Sequence, residues 1–405
     1  MYVDLRVVSQ KSALFGFLLL FPGFAVYHYL VAAATMPLFL GGLFGNVALA
    51  IALLCIVLSF WLLQGRLWGG LAQARFFLTA WSYFIAWTFI GYIAAAGEPH
   101  AGAALYEALS SLIIWLAVFF VGSCYPMRAG SQRVLLVASG LALFAMCLHS
   151  IASQGTFLGL LQVFAPGSEL RISTYQGVGR SIMVTAIVLA ALFQQQWKQL
   201  AVLSLALFML VALGSRAHLF TTFAVILATL FLASLNARRR APLIAFGLVA
   251  AVAVWLGWSV FLETRAAEIF DLGASTSWQG RLEVQAVALN VIRKSPILGE
   301  FGYHLREIGA GGYSHNALSA WTEFGLFGFL LFCSLLVYFT ALSLSRLLNG
   351  GASPVWRAAF GLNLASVVLA AAAESVFSAV PALAWGFTVN ALLEERRNRA
   401  VVSYA

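Results

Sequence analysis

The sequence predicts an all-α polytopic membrane protein of about twelve transmembrane helices, with one large non-cytoplasmic loop that contains an amphipathic helix. Three observations predict it. Of 405 residues, 62% are hydrophobic and only 9% charged, whereas a soluble domain carries about 25% charged residues. The mean hydropathy is +0.94. Apolar runs near the ~20-residue length of a membrane span recur along the chain, separated by short segments with polar residues, Gly or Pro. A chain of this kind cannot cover itself with polar surface, and lipid is its natural solvent. Residues 1–405 read as a single integral membrane domain, without an internal repeat or a low-complexity segment.

The predicted spans are 13–34, 43–63, 76–96, 105–122, 134–152, 177–193, 200–214, 217–236, 243–262, 316–343, 357–374 and 379–393. Arg6 and Lys11 precede the first run, as in a signal peptide. The apolar stretch from Ser12 to Ala34 exceeds the usual core of about 7–15 residues, so it reads as an uncleaved first span. The cysteines Cys55, Cys124, Cys147 and Cys333 lie in or at the ends of apolar runs, without metal spacing, and read as packing residues.

The net charge of +9 does not indicate nucleic acid, because the cations are scattered singly at the ends of apolar runs as orientation signals. With the N-terminus placed in the cytoplasm, alternation puts 15 of the 23 Lys and Arg inside, including Arg238, Arg239, Arg240 and the C-terminal cluster Arg396, Arg397 and Arg399. The positive-inside rule is satisfied, and both termini are expected to be cytoplasmic. Arg171, Arg180, Arg216, Arg265, Arg281, Arg293, Lys294 and Arg306 fall on the other side. Orientation does not explain these eight. Five of them sit in the loop at residues 263–315, between the ninth and tenth predicted helices, with six of the fourteen acids. Loops this long usually have a function. Within it, Arg281 to Ile297 reads as an amphipathic helix stopped by Pro296, and Ser153 to Gly179 reads as a second amphipathic external segment.

The chemistry-bearing residues are few. Asp4 and Asp271 are the only aspartates, and no external carboxylate cluster has the convergence that a hard cation demands. There is no His/Cys zinc pattern, no GxxxxGK[ST] loop and no GxSxG elbow. An enzyme built from this chain is expected to work without a metal, ATP or other cofactor. His315 lies where the chain re-enters the membrane, and fits either a capping histidine or a general base. Arg216, in the turn Gly214-Ser215-Arg216, fits either snorkelling or an intramembrane function. Arg281 opens the amphipathic segment and Arg180 starts a span. Arginine forks suit phosphate oxygens, so several arginines converging at a membrane boundary could hold a lipid pyrophosphate. Glu323, eight residues beyond His315, is too far along the helix to touch it and is expected to pair with a neighbouring helix or an arginine. Gly325 and Gly328 are expected to pack helices closely. Glu374 reads either as a functional acid or, as favoured, an interfacial one, and His28, His100, His149, His218 and His304 read as residues without a functional role.

Five pieces now stand in order: Ser215-Arg216, Gly280-Arg281, Pro296-Ile297-Leu298-Gly299, Ser314-His315-Asn316, and Glu323-Phe324-Gly325-Leu326-Phe327-Gly328. In combination they resemble the O-antigen ligase and O-antigen polymerase family of bacterial membrane glycosyltransferases, most closely the ligases. The likeness covers about residues 211–345, and the layout of spans extends it. It implies a metal-independent enzyme of the bacterial inner membrane, with its active site and the 263–315 loop facing the periplasm. The donor would be a glycan on undecaprenyl pyrophosphate and the acceptor a sugar hydroxyl of the lipid A core, with membrane lipids around and no nucleic acid partner. By motif match His315 would be catalytic, Arg216 and Arg281 would bind pyrophosphate, and Glu323 and Asn316 would support them. Arg180 is added from its position alone. A polymerase or a protein O-oligosaccharyltransferase of the same family would use similar parts. From another class, a transporter or lipid flippase remains open, although its charged groups usually lie at the bilayer midplane.

Overall fold

The structure is a computed structural model that describes residues 5–32, 71–127, 130–154, 175–235, 276–309, 312–350 and 353–403. The described residues are helical, without strands. In chain order the helices are α1 (Leu5–Leu18), α2 (Phe24–Ala32), α3 (Ala72–Ala94), α4 (Ala101–Cys124), α5 (Gly130–Gln154), α6 (Tyr175–Ala191), α7 (Gln196–Leu213), α8 (Arg216–Ser234), α9 (Thr276–Lys294), α10 (Tyr303–Glu307), α11 (Leu318–Leu348), α12 (Pro354–Ala372) and α13 (Val380–Ser403). A π-helical turn, Leu19–Gly23, joins α1 to α2 around Pro22, because proline removes one donor from the ladder.

Eight segments are long and apolar enough to cross a membrane. They are Val7–Val31, Ala72–Ala94, Ala101–Cys124, Gln132–Ala152, Gln196–Leu213, Arg216–Ser234, Leu318–Leu348 and Pro354–Ala372. Tyr175–Ala191 is apolar but shorter, at 17 residues. Val380–Ser403 carries a charged C-terminal half. The predicted spans 43–63 and 243–262 lie outside the described residues, as does most of the external segment 153–179. The amphipathic helix of the long loop starts at Thr276, before Arg281, and ends at Lys294, two residues short of Pro296, since a proline disfavours helix in the residue before it.

The core runs between α3, α4, α12 and α13. Trp115, Trp356, Trp385, Phe77, Phe84 and Phe119 are fully buried there. Lipid gives little hydrophobic drive between helices, so close packing and small residues carry their association. A Cβ on Gly122 would come within 2.5 Å of Leu383 O, and one on Gly386 would overlap Phe119 O. Polar side chains tie the same layer, with Asn363 Nδ2 donating to Thr388 Oγ1 (2.9 Å) and Asn390 Nδ2 to Tyr125 O (2.7 Å). Exposed Phe220, Phe223, Leu227 and Phe231 line the outward side of α8.

Helix α11 is broken at Gly325, whose φ of 71° and ψ of −177° are not helical. This corrects the expectation that Gly325 serves helix–helix packing. Its missing side chain makes room for the backbone of the preceding loop, since a Cβ there would overlap Ile297 O.

Candidate functional site

The start of α6, the α7–α8 turn, the start of α11 and the α12–α13 turn meet at one end of the bundle. The α7–α8 turn is local chemistry. Gly214 adopts the left-handed conformation (φ 68°) that closes α7, with Ser215 N donating to Leu210 O at 3.1 Å, a glycine termination of the Schellman kind. Arg216 is then the first residue of α8. A cation there opposes the partial positive charge of a helix N-terminus, an unfavourable placement of about 0.3–1 kcal/mol that a bound anion would reverse.

Beside the turn, Gly179 lets α6 approach: a Cβ there would come within 2.5 Å of Ser215 Oγ and 3.0 Å of His218 Nδ1. Ser215 Oγ pairs with His218 Nδ1 (2.8 Å), and His218 Nε2 lies 3.2 Å from Glu374 Oε1. Arg180 Nε donates to the same oxygen at 2.9 Å, and Ser378 Oγ donates to Glu374 Oε2. Glu374, read from its position as interfacial, is the shared acceptor of these groups. It is buried and ion-paired. Burial alone would raise its carboxyl, but Arg180, His218 and Ser378 hold it well below the usual carboxylate range.

His315 lies on the turn that leads into α11, with the Tyr313 ring beside it. The turn that presents it is held by Asn316, whose Oδ1 accepts from Ser314 Oγ (2.7 Å) and from Leu318 N (3.0 Å). Ala317 N donates to Ala370 O (2.6 Å) and Val376 N to Ser319 Oγ (2.7 Å), which ties the start of α11 to the last turn of α12 and to the α12–α13 turn. Arg281 reaches over from α9, donating to Ala372 O at 3.4 Å. Burial pushes the His315 imidazole below its ordinary value, and the Arg281 charge pushes the same way against a smaller opposite pull from Glu374. A histidine in this state is neutral near pH 7 and able to accept a proton.

Of the residues singled out in the sequence, the structure thus brings Arg180, Arg281 and His315 around Glu374, with Arg216 in the adjoining turn. Glu323 lies elsewhere. Its Oε1 is 2.8 Å from His304 Nδ1, its Oε2 accepts from Gly302 N (2.9 Å), and His304 Nε2 is 3.2 Å from Glu107 Oε2. Of the two expected partners, a neighbouring helix or an arginine, it takes the helix, through His304 on the short α10. Tyr313 connects the two clusters, with ring centroids 5.5 Å from His304 and 5.8 Å from His315. His218, His304 and Glu374 are the polar groups that sequence reasoning set aside. The available signals were the place of His218 two residues after Arg216, and that of Glu374 as a lone acid at the end of an apolar run.

The His304 clamp is open to measurement. Burial would lower this imidazole, yet hydrogen bonds and charge from Glu107 and Glu323 raise it to about 9. A histidine raised above its unfolded value of about 6.5 contributes stability that is complete below that pH and lost as pH rises through about 9. The contribution is on the order of 3 kcal/mol. The melting temperature in nanodiscs is expected to fall between pH 7 and pH 10, and His304→Gln should remove most of that fall. An equal fall in the variant would show that the clamp is not its source.

Among the described residues a cavity of about 590 Å³ opens at the other end of the bundle, lined by Gln194, Gln199, Thr229 and Arg357 among others. None of the cluster residues lines it.

No curated protein matches the chain. Residues 200–333 match the family model described as O-Antigen ligase. That stretch includes Ser215, Arg216, His218, Arg281, His304, His315, Asn316 and Glu323, and it excludes Arg180 and Glu374. In this multi-pass chain of apolar helices, with cations and a histidine gathered at one end, residues 200–333 are similar to the O-antigen ligase family model, a match that supports a place in the O-antigen ligase and polymerase family.

Proposed function

We propose that the chain is an O-antigen ligase, which transfers a glycan from undecaprenyl pyrophosphate to a sugar hydroxyl of the lipid A core at the periplasmic face of the bacterial inner membrane. The observation that carries this reading is the meeting of Arg281 and His315 beside the Arg180–Glu374 pair. In this reading the acceptor oxygen attacks the anomeric carbon while His315 takes its proton. The bond from that carbon to the pyrophosphate oxygen breaks, and lipid pyrophosphate leaves with the electron pair. A single displacement of this kind inverts the anomeric centre. The leaving group supplies the driving force, so neither metal nor nucleotide is required.

Arg216 and Arg281 would stabilise charge growing on the leaving pyrophosphate, as fixed donors do in a site shielded from water. Arg180 would contribute less, because Glu374 already neutralises it. Asn316 would hold the turn that aims His315. Glu323 would act at a distance, by anchoring the loop through His304.

The test uses a strain lacking its own ligase, complemented with this chain and supplied with its donor, and reads the lipopolysaccharide ladder on a gel. Wild type is expected to restore the capped ladder, and Arg216→Ala and Arg281→Ala to lose it at equal membrane levels. Failure of wild type to restore any band here, together with conversion of a single-repeat band into a ladder in a strain that keeps its ligase but lacks its polymerase, would indicate a polymerase. An unchanged ladder would defeat the transfer reading and favour a transporter.

A further inference from the structure

The segment Ser295–Glu300 links α9 to α10 and is irregular. It does not stay above the bundle. Trp321 Nε1 donates to Pro296 O (2.7 Å), Glu300 N to Thr322 O (2.6 Å) and Leu326 N to Ile297 O (2.9 Å). These partners lie on α11, one to two turns beyond its first residue, or about 5–12 Å along the helix axis. Helix α11 is itself a candidate span. Irregular backbone is tolerated at membrane depth only where protein satisfies its polar groups. Here that condition is met by protein partners for Pro296 O, Ile297 O and Glu300 N, while Gly299 N bonds back to Ser295 O (3.0 Å). Two glycines permit the approach. Gly299 adopts φ 70°, and a Cβ on it would overlap Thr322 O; Gly325 opens α11 to free the Leu326 amide.

The tip nevertheless leaves two large apolar side chains uncovered. Ile297 is 58% exposed and Leu298 is 61% exposed. Phe327 and Leu330 on α11 are exposed as well. Charges flank the tip on both sides, with Arg293 and Lys294 before it and the Glu300–Arg306 ion pair after it. Trp321 is at the same level, with its N–H bonded and its ring stacked on Phe329 at 5.0 Å, the placement that aromatic residues favour at a membrane boundary.

We propose that Pro296-Ile297-Leu298-Gly299 is a re-entrant hook whose Ile297 and Leu298 side chains contact bilayer acyl chains in the leaflet that borders the site. An apolar tip between charged flanks, held at the depth of a span, matches lipid better than a protein partner in water. The hook pins the end of α9 at the membrane surface. Because Arg281 is on the same helix, the hook also limits how far that arginine can leave the His315 side of the bundle. The lipid contact does not depend on the transfer reaction.

The test places a spin label at Ile297→Cys or Leu298→Cys in the full chain with its four native cysteines replaced. The protein is held in nanodiscs of phosphatidylethanolamine and phosphatidylglycerol. Collision with oxygen, which concentrates in lipid, is compared with collision with a water-soluble nickel chelate. Val337→Cys on the exposed side of α11 serves as the lipid reference and Glu307→Cys as the water reference. Both hook positions are expected to behave like Val337→Cys, with oxygen contact several-fold above nickel contact. Behaviour like Glu307→Cys would overturn the proposal. So would shielding from both reagents, which would show that protein covers the tip. Two independent label positions keep the result readable if one variant misfolds.

Discussion

His315→Ala is expected to reduce the rate of glycan transfer by about 10²–10⁴-fold, the usual contribution of a positioned general base, with little change in the yield of folded protein. The side chain is only half-buried, and the turn that carries it is held by Asn316 and by backbone bonds. The pH profile is the sharper diagnostic. A base must be deprotonated, so activity should fall on the acid side, at a pH below the ordinary histidine value because burial and Arg281 lower the imidazole. Arg281→Gln removes a neighbouring positive charge, and in its residual activity the acid limb should move to higher pH. Glu374→Gln removes the opposing negative charge, and the limb should move to lower pH. Opposite shifts from two substitutions that touch different elements would be hard to produce by general damage. An acid limb that ignores both would separate His315 from the proton transfer.

The second large effect is expected at Glu374. Its carboxylate accepts from Arg180, His218 and Ser378 together. Glu374→Ala leaves the buried His218 without its acceptor and Arg180 without its counter-charge. Breaking a buried pair by removing one partner costs about 3–5 kcal/mol. Arg180 is about one-third exposed, so water recovers part of this and a loss of about 2–3 kcal/mol is expected. Unfolding in detergent, followed by denaturant titration, should show it. Glu374→Gln keeps an acceptor oxygen for His218 and should retain more of the stability than alanine does. Equal stability of Glu374→Ala and wild type would show that the pair contributes nothing measurable. The low carboxyl value also has a sign: the stabilisation is complete above the unfolded glutamate value and is lost only as pH falls through the depressed folded one. Mild acid should therefore leave the hub intact.

Much of the fold was legible in the sequence. The predicted span 76–96 appears as Ala72–Ala94, 105–122 as Ala101–Cys124 and 217–236 as Arg216–Ser234. Helix ends were legible where a local device sets them, as at Gly214. The break at Gly325 was not, because it is imposed by the docking of Ile297, 28 residues earlier in the chain. In the candidate site, Arg180, Arg216 and His315 stood out as ionisable groups at span ends, and Arg281 as the cation that opens the amphipathic loop segment. Glu374 and His304 did not. Glu374 finds Arg180 at a separation of 194 residues, and His304 finds Glu107 at 197. No spacing rule connects positions so far apart, and a histidine looks the same in sequence whether it packs or holds two carboxylates.

The sequence by itself determined that this chain lives in a membrane, roughly where its helices begin and end, and which few residues carry charge at their ends. Transfer from water to lipid accumulates over about 20 consecutive residues, so that property is written locally. Only the tertiary structure decided which charges meet: Arg180 with Glu374, His304 between Glu107 and Glu323, and Arg281 beside His315. Such pairings act over a few ångströms, and helix packing alone sets which distant residues come that close.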